Sequence, residues 1–133
     1  MKEISKIGKI AELQEAMTVH NSKFKTAVTP HILHYQIPGI YMREMWLPAG
    51  TLLVGKTHKK EHICVISKGK VKVVSEEFTD IIDAPHTYVS KRGTKRAMFA
   101  FTDVVWTTVH NTQEIDLNKI EEELVQNETY LGV

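Results

Sequence analysis

Three regimes of hydrophobic spacing succeed one another along the chain. Ile4, Ile7, Ile10, Leu13 and Met17 recur at helical intervals, which predicts an amphipathic helix over about residues 4–18, weakened by Gly8. Its apolar face is expected to pack on the body of the protein or on a partner subunit. From about residue 28 to 112 the pattern changes to short runs rich in Val, Ile, Thr and aromatics. Pro38-Gly39, Pro48-Ala49-Gly50, Lys68-Gly69, Asp83-Ala84-Pro85 and Arg92-Gly93 punctuate these runs, at the spacing expected of a β sandwich or barrel. Asp116 is a good N-cap, and Leu117, Ile120 and Leu124 fall on one face behind it. A second amphipathic helix is therefore expected over about residues 116–126.

Composition narrows the class. The 133 residues are 42% hydrophobic and 25% charged, the balance of one globular domain with its own core. A net charge of +1 gives no polyanion footprint, so nucleic acid is not an expected partner. Cys64 is the single cysteine; an intrachain disulfide is excluded and a reducing compartment fits. The N-terminus lacks a signal-peptide pattern and no apolar run reaches membrane-spanning length. The expectation is a cytoplasmic protein that does not bind membranes.

The stretch GTLLVGKTHKKEHICVISKG, residues 50–69, carries the candidate chemistry. Read blandly, His-Lys-Lys-Glu-His between two strands is a charged, solvated turn, and Lys59 and Lys60 suit that reading. Its spacing, however, resembles the first motif of the cupins, G-x5-H-x-H-x3-E-x6-G. Gly50, His58 and Gly69 match that motif, while Lys56 stands at its first histidine and His62 at its glutamate. The cupin second motif is matched more weakly by KRGTKRAMFA: Gly93 fits, and Lys91, Arg96 and Ala100 replace its proline, histidine and asparagine. PGIYMRE, LPAGT, KTHKKEH, SKG, GTKR and VVWTTVH also resemble small cupin proteins encoded by tailed bacteriophages, which would place the chain in a host cytoplasm. The resemblance implies an all-β, cupin-like jelly-roll β-barrel (double-stranded β-helix) over about 28–112, flanked by the two short helices, as one domain spanning 1–133.

Strand alternation gives the motif its physical sense. His58 and His62 share parity across the intervening bend, so both can point into one barrel mouth. Imidazoles suit zinc, iron, nickel and copper, and a missing carboxylate disfavours a hard cation. Two histidines do not make a site, so His110, at the end of VVWTTVH, is the third candidate ligand. That strand is expected to pair with TKRAMFAF across a turn at Thr102-Asp103, with the register deciding whether His110 shares a face with Arg96. His86, after Pro85, reads as a loop residue and a weaker candidate.

Lys56 and Arg96 are either surface cations that guard strand edges or replaced ligands that hold an anion inside the mouth. Glu44, if inward, is the nearest carboxylate for acid–base work; the alternative is the solvated face. Trp46 and Trp106 read as core, Cys64 as a buried small hydrophobe, and His31 and His34 as surface or hinge residues.

The expected function is binding of a transition metal, a small molecule or both in the barrel mouth. Metal would be held by His58, His62 and His110, with Arg96, Lys56 and Glu44 around a ligand. The cupin resemblance admits isomerases, dioxygenases and sugar-binding modules alike, and fold does not choose among them. The alternative is a non-catalytic interaction or assembly module with a degenerate metal site. A homodimer is expected in either case, because two short amphipathic helices leave apolar stripes to cover.

Overall fold

The computed structural model describes residues 9–17, 30–126 and 131–132. In chain order these are helix α1 (9–17), strands β1 (His31–Ile37), β2 (Ile40–Leu47), β3 (Leu52–Val54), β4 (His62–Lys68), β5 (Lys70–Val74), β6 (Thr79–Asp83), β7 (His86–Ser90), β8 (Ala97–Ala100) and β9 (Val104–Asn111), helix α2 (Leu117–Leu124) and strand β10 (Leu131–Gly132). The first helix is thus seen from residue 9, and the expected residues 4–8 and 18 lie outside the described ones.

The strands form two five-stranded antiparallel sheets among the described residues. One has the order β1-β2-β9-β4-β7 and the other β10-β3-β8-β5-β6. No described strand of one sheet pairs with a strand of the other. Among the described residues neither sheet closes on itself, and the expected jelly-roll domain is seen as a sandwich of two facing sheets. Between them lies a core of alternating inward residues, among them Leu47, Leu53, Ile66, Val71, Val73 and Trp106. Alternation is the cause: successive side chains in β2 and β5 point to opposite faces, so Leu47 and Val71 go inward while Trp46 and Lys72 go outward.

Sequence-adjacent β8 and β9 do not form the expected hairpin. β8 pairs with β3 and β5, and β9 with β2 and β4. Residues 101–103 carry the chain from one sheet to the other, and the turn between β4 and β5 holds them in place. Phe101 N–H donates to the Lys70 carbonyl at 2.9 Å and Lys70 N–H to Thr102 Oγ1 at 3.0 Å. Gly69 makes that approach possible. Its φ is +94°, and a Cβ there would lie 2.2 Å from the Asp103 carbonyl oxygen.

Both helices bury part of their apolar stripes on the body of their own chain, while Leu117 of α2 stays 44% exposed. Ile10 and Met17 of α1 pack with Val54 and Ala97 on the outer face of the second sheet. Ile120 and Leu124 of α2, with Val125, pack on Tyr41. Asp116 caps α2, accepting from the N–H groups of Asn118 and Lys119. No described helix is long and apolar enough to cross a membrane.

Candidate functional site

Chemistry is graded along the inner face of the β1-β2-β9-β4-β7 sheet. At one end Met45, Trp106 and Ile66 lie side by side across β2, β9 and β4; one step up, Arg43, Thr108 and Cys64 do the same. At the far end Tyr41 faces His110, and His62 faces Ser90. The apolar half is core. The polar half is the candidate site, and α2 lies across its end.

The two motif segments reach this end by zipping together. Gly55 N–H donates to the Arg96 carbonyl, His58 N–H to the Thr94 carbonyl and Gly93 N–H to the His58 carbonyl, at 3.0, 3.0 and 2.8 Å. Gly93, at φ +87°, turns the chain where this ladder ends. Residues 38 positions apart, His58 and Arg96, thereby enter one polar centre.

His58, His62 and His110 are brought together there, exposed by only 8%, 3% and 4%. Their ring centroids are 4.2 Å (58–62), 4.9 Å (62–110) and 6.1 Å (58–110) apart. His62 Nδ1 donates to the Lys60 carbonyl at 3.0 Å, which leaves Nε2 as its lone pair, and Arg96 Nη2 lies 3.3 Å from that atom. His110 Nε2 is 2.8 Å from Thr108 Oγ1. His58 Nδ1 is buried without a hydrogen-bond partner. All three rings are held neutral. Burial, followed by Arg96, lowers His62 to about 4. Burial, then His62, Arg43 and Arg96, lowers His110 to about 3. Burial and the neighbouring Arg96 push His58 far below the usual histidine range.

Arg96 is 4% exposed. Its Nη1 donates to Ser90 Oγ at 2.9 Å, and its guanidinium carbon lies 5.4 Å from the Trp106 ring centre. Ser90 and Thr94 both donate to Glu77 Oε1 at 2.8 Å, so among the described residues the carboxylate tied to Arg96 reaches it through a hydroxyl. No ion pair to Arg96 occurs among the described residues. Arg96, Arg43, Lys56 and His58 line a partly open cavity of about 30 Å³, with Met45, Met98, Trp106 and Thr108 among its other walls. Arg43 also lines a second cavity of about 160 Å³ beneath α2, with His34, Tyr41, Ile120, Glu121 and Leu124.

The lysines of the motif have partners on α2. Lys56 pairs with Glu121 and Lys60 with Glu123, and Lys59 Nζ donates to the Glu122 carbonyl at 2.7 Å. Backbone bonds from Lys59 N–H to Leu124 and from Gln126 N–H to Thr57 complete the seam. The acidic run of α2 and the basic run before β4 are each other's partners; Lys59 and Lys60 themselves lie exposed outside the strands, as the turn reading expects.

Several other expectations are corrected by parity. Glu44 points outward, where Oε2 accepts from Trp46 Nε1 at 2.8 Å, so it does not face the site. Trp46 is 41% exposed, while Trp106 is 1% exposed and is the core tryptophan. His86 begins β7 and is exposed, and His31 is exposed as expected. His34 is more than a surface residue, since its Nδ1 lies 2.6 Å from Tyr41 Oη at the α2 cavity. Arg43, which sequence reasoning passed over, shares the inward parity of Tyr41, Met45 and Leu47 in YMREMWL, and that pattern is the signal that marks it.

A divalent metal does not fit these residues as they stand. No three His, Cys, Asp or Glu side chains among the described residues bring donors to one ion. Two of the four positions that would supply ligands in the cupin motif hold the permanent cations Lys56 and Arg96, and Arg96 already donates toward the lone pair of His62. The donor set alone, three neutral imidazoles, suits a transition metal; the fixed positive charge around it opposes one.

No family model matches this sequence, and no curated protein matches it. Solved structures do. Ectoine synthase from P. lautus superposes with a TM-score of 0.60 at 14% identity, over 79% of this chain and 76% of that one. A cupin superfamily protein from Desulfitobacterium hafniense gives 0.52 at 6% identity, over 62% and 77%. Salicylate 1,2-dioxygenase from Pseudoaminobacter salicylatoxidans gives 0.59 at 10% identity, over 90% of this chain but only 36% of the dioxygenase. One of these neighbours is named as a cupin superfamily protein, and at these identities what this chain shares with all three is the fold.

Proposed function

We propose that this cupin-fold protein binds a small organic anion at the polar end of the sandwich, through cations that stand where cupin metal ligands would be. The observation that carries the reading is Arg96: a guanidinium 4% exposed with no carboxylate in direct contact. A buried charge is costly unless paired. An oxyanion in the adjoining cavity would supply the missing partner, bridging toward Arg43 and Lys56 and accepting from His58 Nδ1 in its N–H form. The inner cavity, about 30 Å³, has room on the order of one or two waters, the size of a carboxylate head group. The larger space beneath α2, reached past Arg43, suits the body of such a ligand, with Ile120 and Leu124 for its apolar part and Tyr41 and His34 for hydrogen bonds.

Acetate, malonate and inorganic phosphate, with acetamide as the neutral control, test this by thermal shift. A ligand at 100 times its Kd adds about 2.7 kcal/mol, which raises Tm by several degrees in a domain of this size. At least one anion is expected to stabilise the parent and not Arg96→Met, while acetamide does nothing. Equal shifts with acetamide, or none with any anion, overturn the reading. So does a stoichiometric transition metal in the purified parent that His62→Ala removes.

A further inference from the structure

The outer face of the β1-β2-β9-β4-β7 sheet is apolar where an exposed antiparallel sheet is ordinarily polar. Tyr35, Met42, Val109, Ile63 and Val89 are successive cross-strand neighbours, and they draw one apolar row over all five strands. Ile37 and Ile40 adjoin the row on one side, and Leu33 and Trp46 lie on the other. Eight large apolar side chains of this face are 36–64% exposed. At about 200 Å² for each open side chain, they leave on the order of 800 Å² of apolar surface. Single-chain proteins rarely expose a patch beyond about 300–600 Å². The one carboxylate among the strand positions of these rows, Glu44, is already engaged by Trp46.

The opposite sheet is treated differently by the same chain. Its outer face carries α1 over Leu52, Val54, Val74 and Ala97, and beside them Lys70, Lys72 and Asp83. The described residues of the α1 stripe are therefore covered from within, and on this second sheet the exposed apolar side chain Ile81 stands beside Lys72, whereas the continuous apolar row lies on the other sheet.

We propose that this face is the interface of a two-fold homodimer, the outer sheet of one copy lying on that of its partner. The occupant is a second copy because of size and charge. About 800 Å² per partner is what a standard stable interface buries. Its charges are few and of both signs, Glu44 bonded to Trp46 and Lys68 with its Nζ 5.9 Å from the Trp46 ring centre, so the face can meet its own two-fold mate without single-sign repulsion, and isologous pairing is the commonest closed assembly. The polar site is on the inner face of the same sheet, so pairing leaves it accessible and the two proposals fail separately.

Light scattering on the full chain is the test. The parent is expected at about twice 15.2 kDa, at concentrations in the tens of micromolar, and Met42→Lys and Ile63→Lys at the monomer mass with unchanged far-ultraviolet circular dichroism. Each substitution enters a two-fold interface twice, so dissociation should strengthen on the order of 100-fold. Lys72→Glu, on the opposite sheet, should leave the dimer intact. Iodide quenching of Trp46 separates the alternatives: in a dimer, protection disappears on dilution. A parent that is monomeric overturns the proposal, whether Trp46 is then open to iodide or shielded at every concentration by a segment of its own chain. A dimer that survives both lysine substitutions overturns it as well.

Discussion

Arg96 Nη2 lies 3.3 Å from Nε2 of His62, directed at the one lone pair that ring has free. This contact orders the site. It adds to burial in keeping His62 neutral, occupies the atom that a metal would need, and leaves the remaining guanidinium charge beside a cavity shared with Arg43 and Lys56. The imidazole is a supporting acceptor, and the guanidinium is the group left to meet a ligand.

Removing that cation should therefore be read in the ring. In Arg96→Met the His62 pKa should rise from about 4 toward, but not to, the unperturbed ~6.5, because burial remains the larger cause. Nitrogen-detected titration of the histidine rings measures it. An unchanged His62 would mean that the guanidinium does not act on the ring. Stability should hold or improve in the same variant, since a desolvated charge is lost while the shape is largely kept.

Acid should unfold this protein through its histidines first. The sign follows from linkage: an unfolded histidine takes a proton near ~6.5, whereas folded His62 and His110 resist until about 4 and about 3. Between those limits the unfolded state binds more protons, so stability is complete above ~6.5 and declines as pH falls, by up to about 1.4 kcal/mol per pH unit per histidine. Glu77, Glu121 and Glu123 are held below the usual carboxylate range by their hydrogen bonds, so the decline from 6.5 to 4.5 belongs to the rings. Urea midpoints across that interval check it, and His110→Gln should flatten the slope.

The alternation of short apolar runs was enough to announce two packed sheets, and Gly50, Gly69 and Gly93 enough to suggest the cupin fold, because turns at positive φ leave glycine in the sequence. The gathering of His58 and His62 followed from parity. What the sequence hid was long-range. Thr102-Asp103 looks like a hairpin turn, yet the partners of β8 and β9 lie in different sheets, and the crossing is held by long-range bonds to Lys70 at a close approach that Gly69 permits. The lysines of the motif looked unpaired because their carboxylates sit more than sixty residues away on α2. Trp46 and Trp106 have similar neighbours in sequence; only strand parity separates them.

That separation is measurable. Trp106→Ala should remove about 3–5 kcal/mol of stability, the usual cost of emptying a fully buried large aromatic. Trp106→Phe should lose far less, because the buried indole N–H has no partner to forfeit. Trp46→Ala, studied at dilutions that keep the chain monomeric, should change stability by less than ~1 kcal/mol. Urea unfolding of the three variants decides the assignment, and a large loss at Trp46 would reverse it.

The seam between α2 and the motif gives the last expectation. Lys60–Glu123 is an exposed pair, and Lys60→Ala should cost no more than ~0.5 kcal/mol, most of it already absent at high salt. Lys56–Glu121 is different in kind, since the Lys56 side chain is only 14% exposed and lines the cavity as well. Lys56→Ala releases Glu121 beside His34, Tyr41 and Arg43, at the mouth of the space beneath α2. It should destabilise by about 1 kcal/mol or more and also weaken the anion-dependent thermal shift, which Lys60→Ala should leave unchanged. The two substitutions therefore part company on ligand response. If Lys56→Ala lowers Tm but keeps the full response to the anion, Lys56 is a fastener for α2 alone, and the bound anion belongs to Arg96 and Arg43.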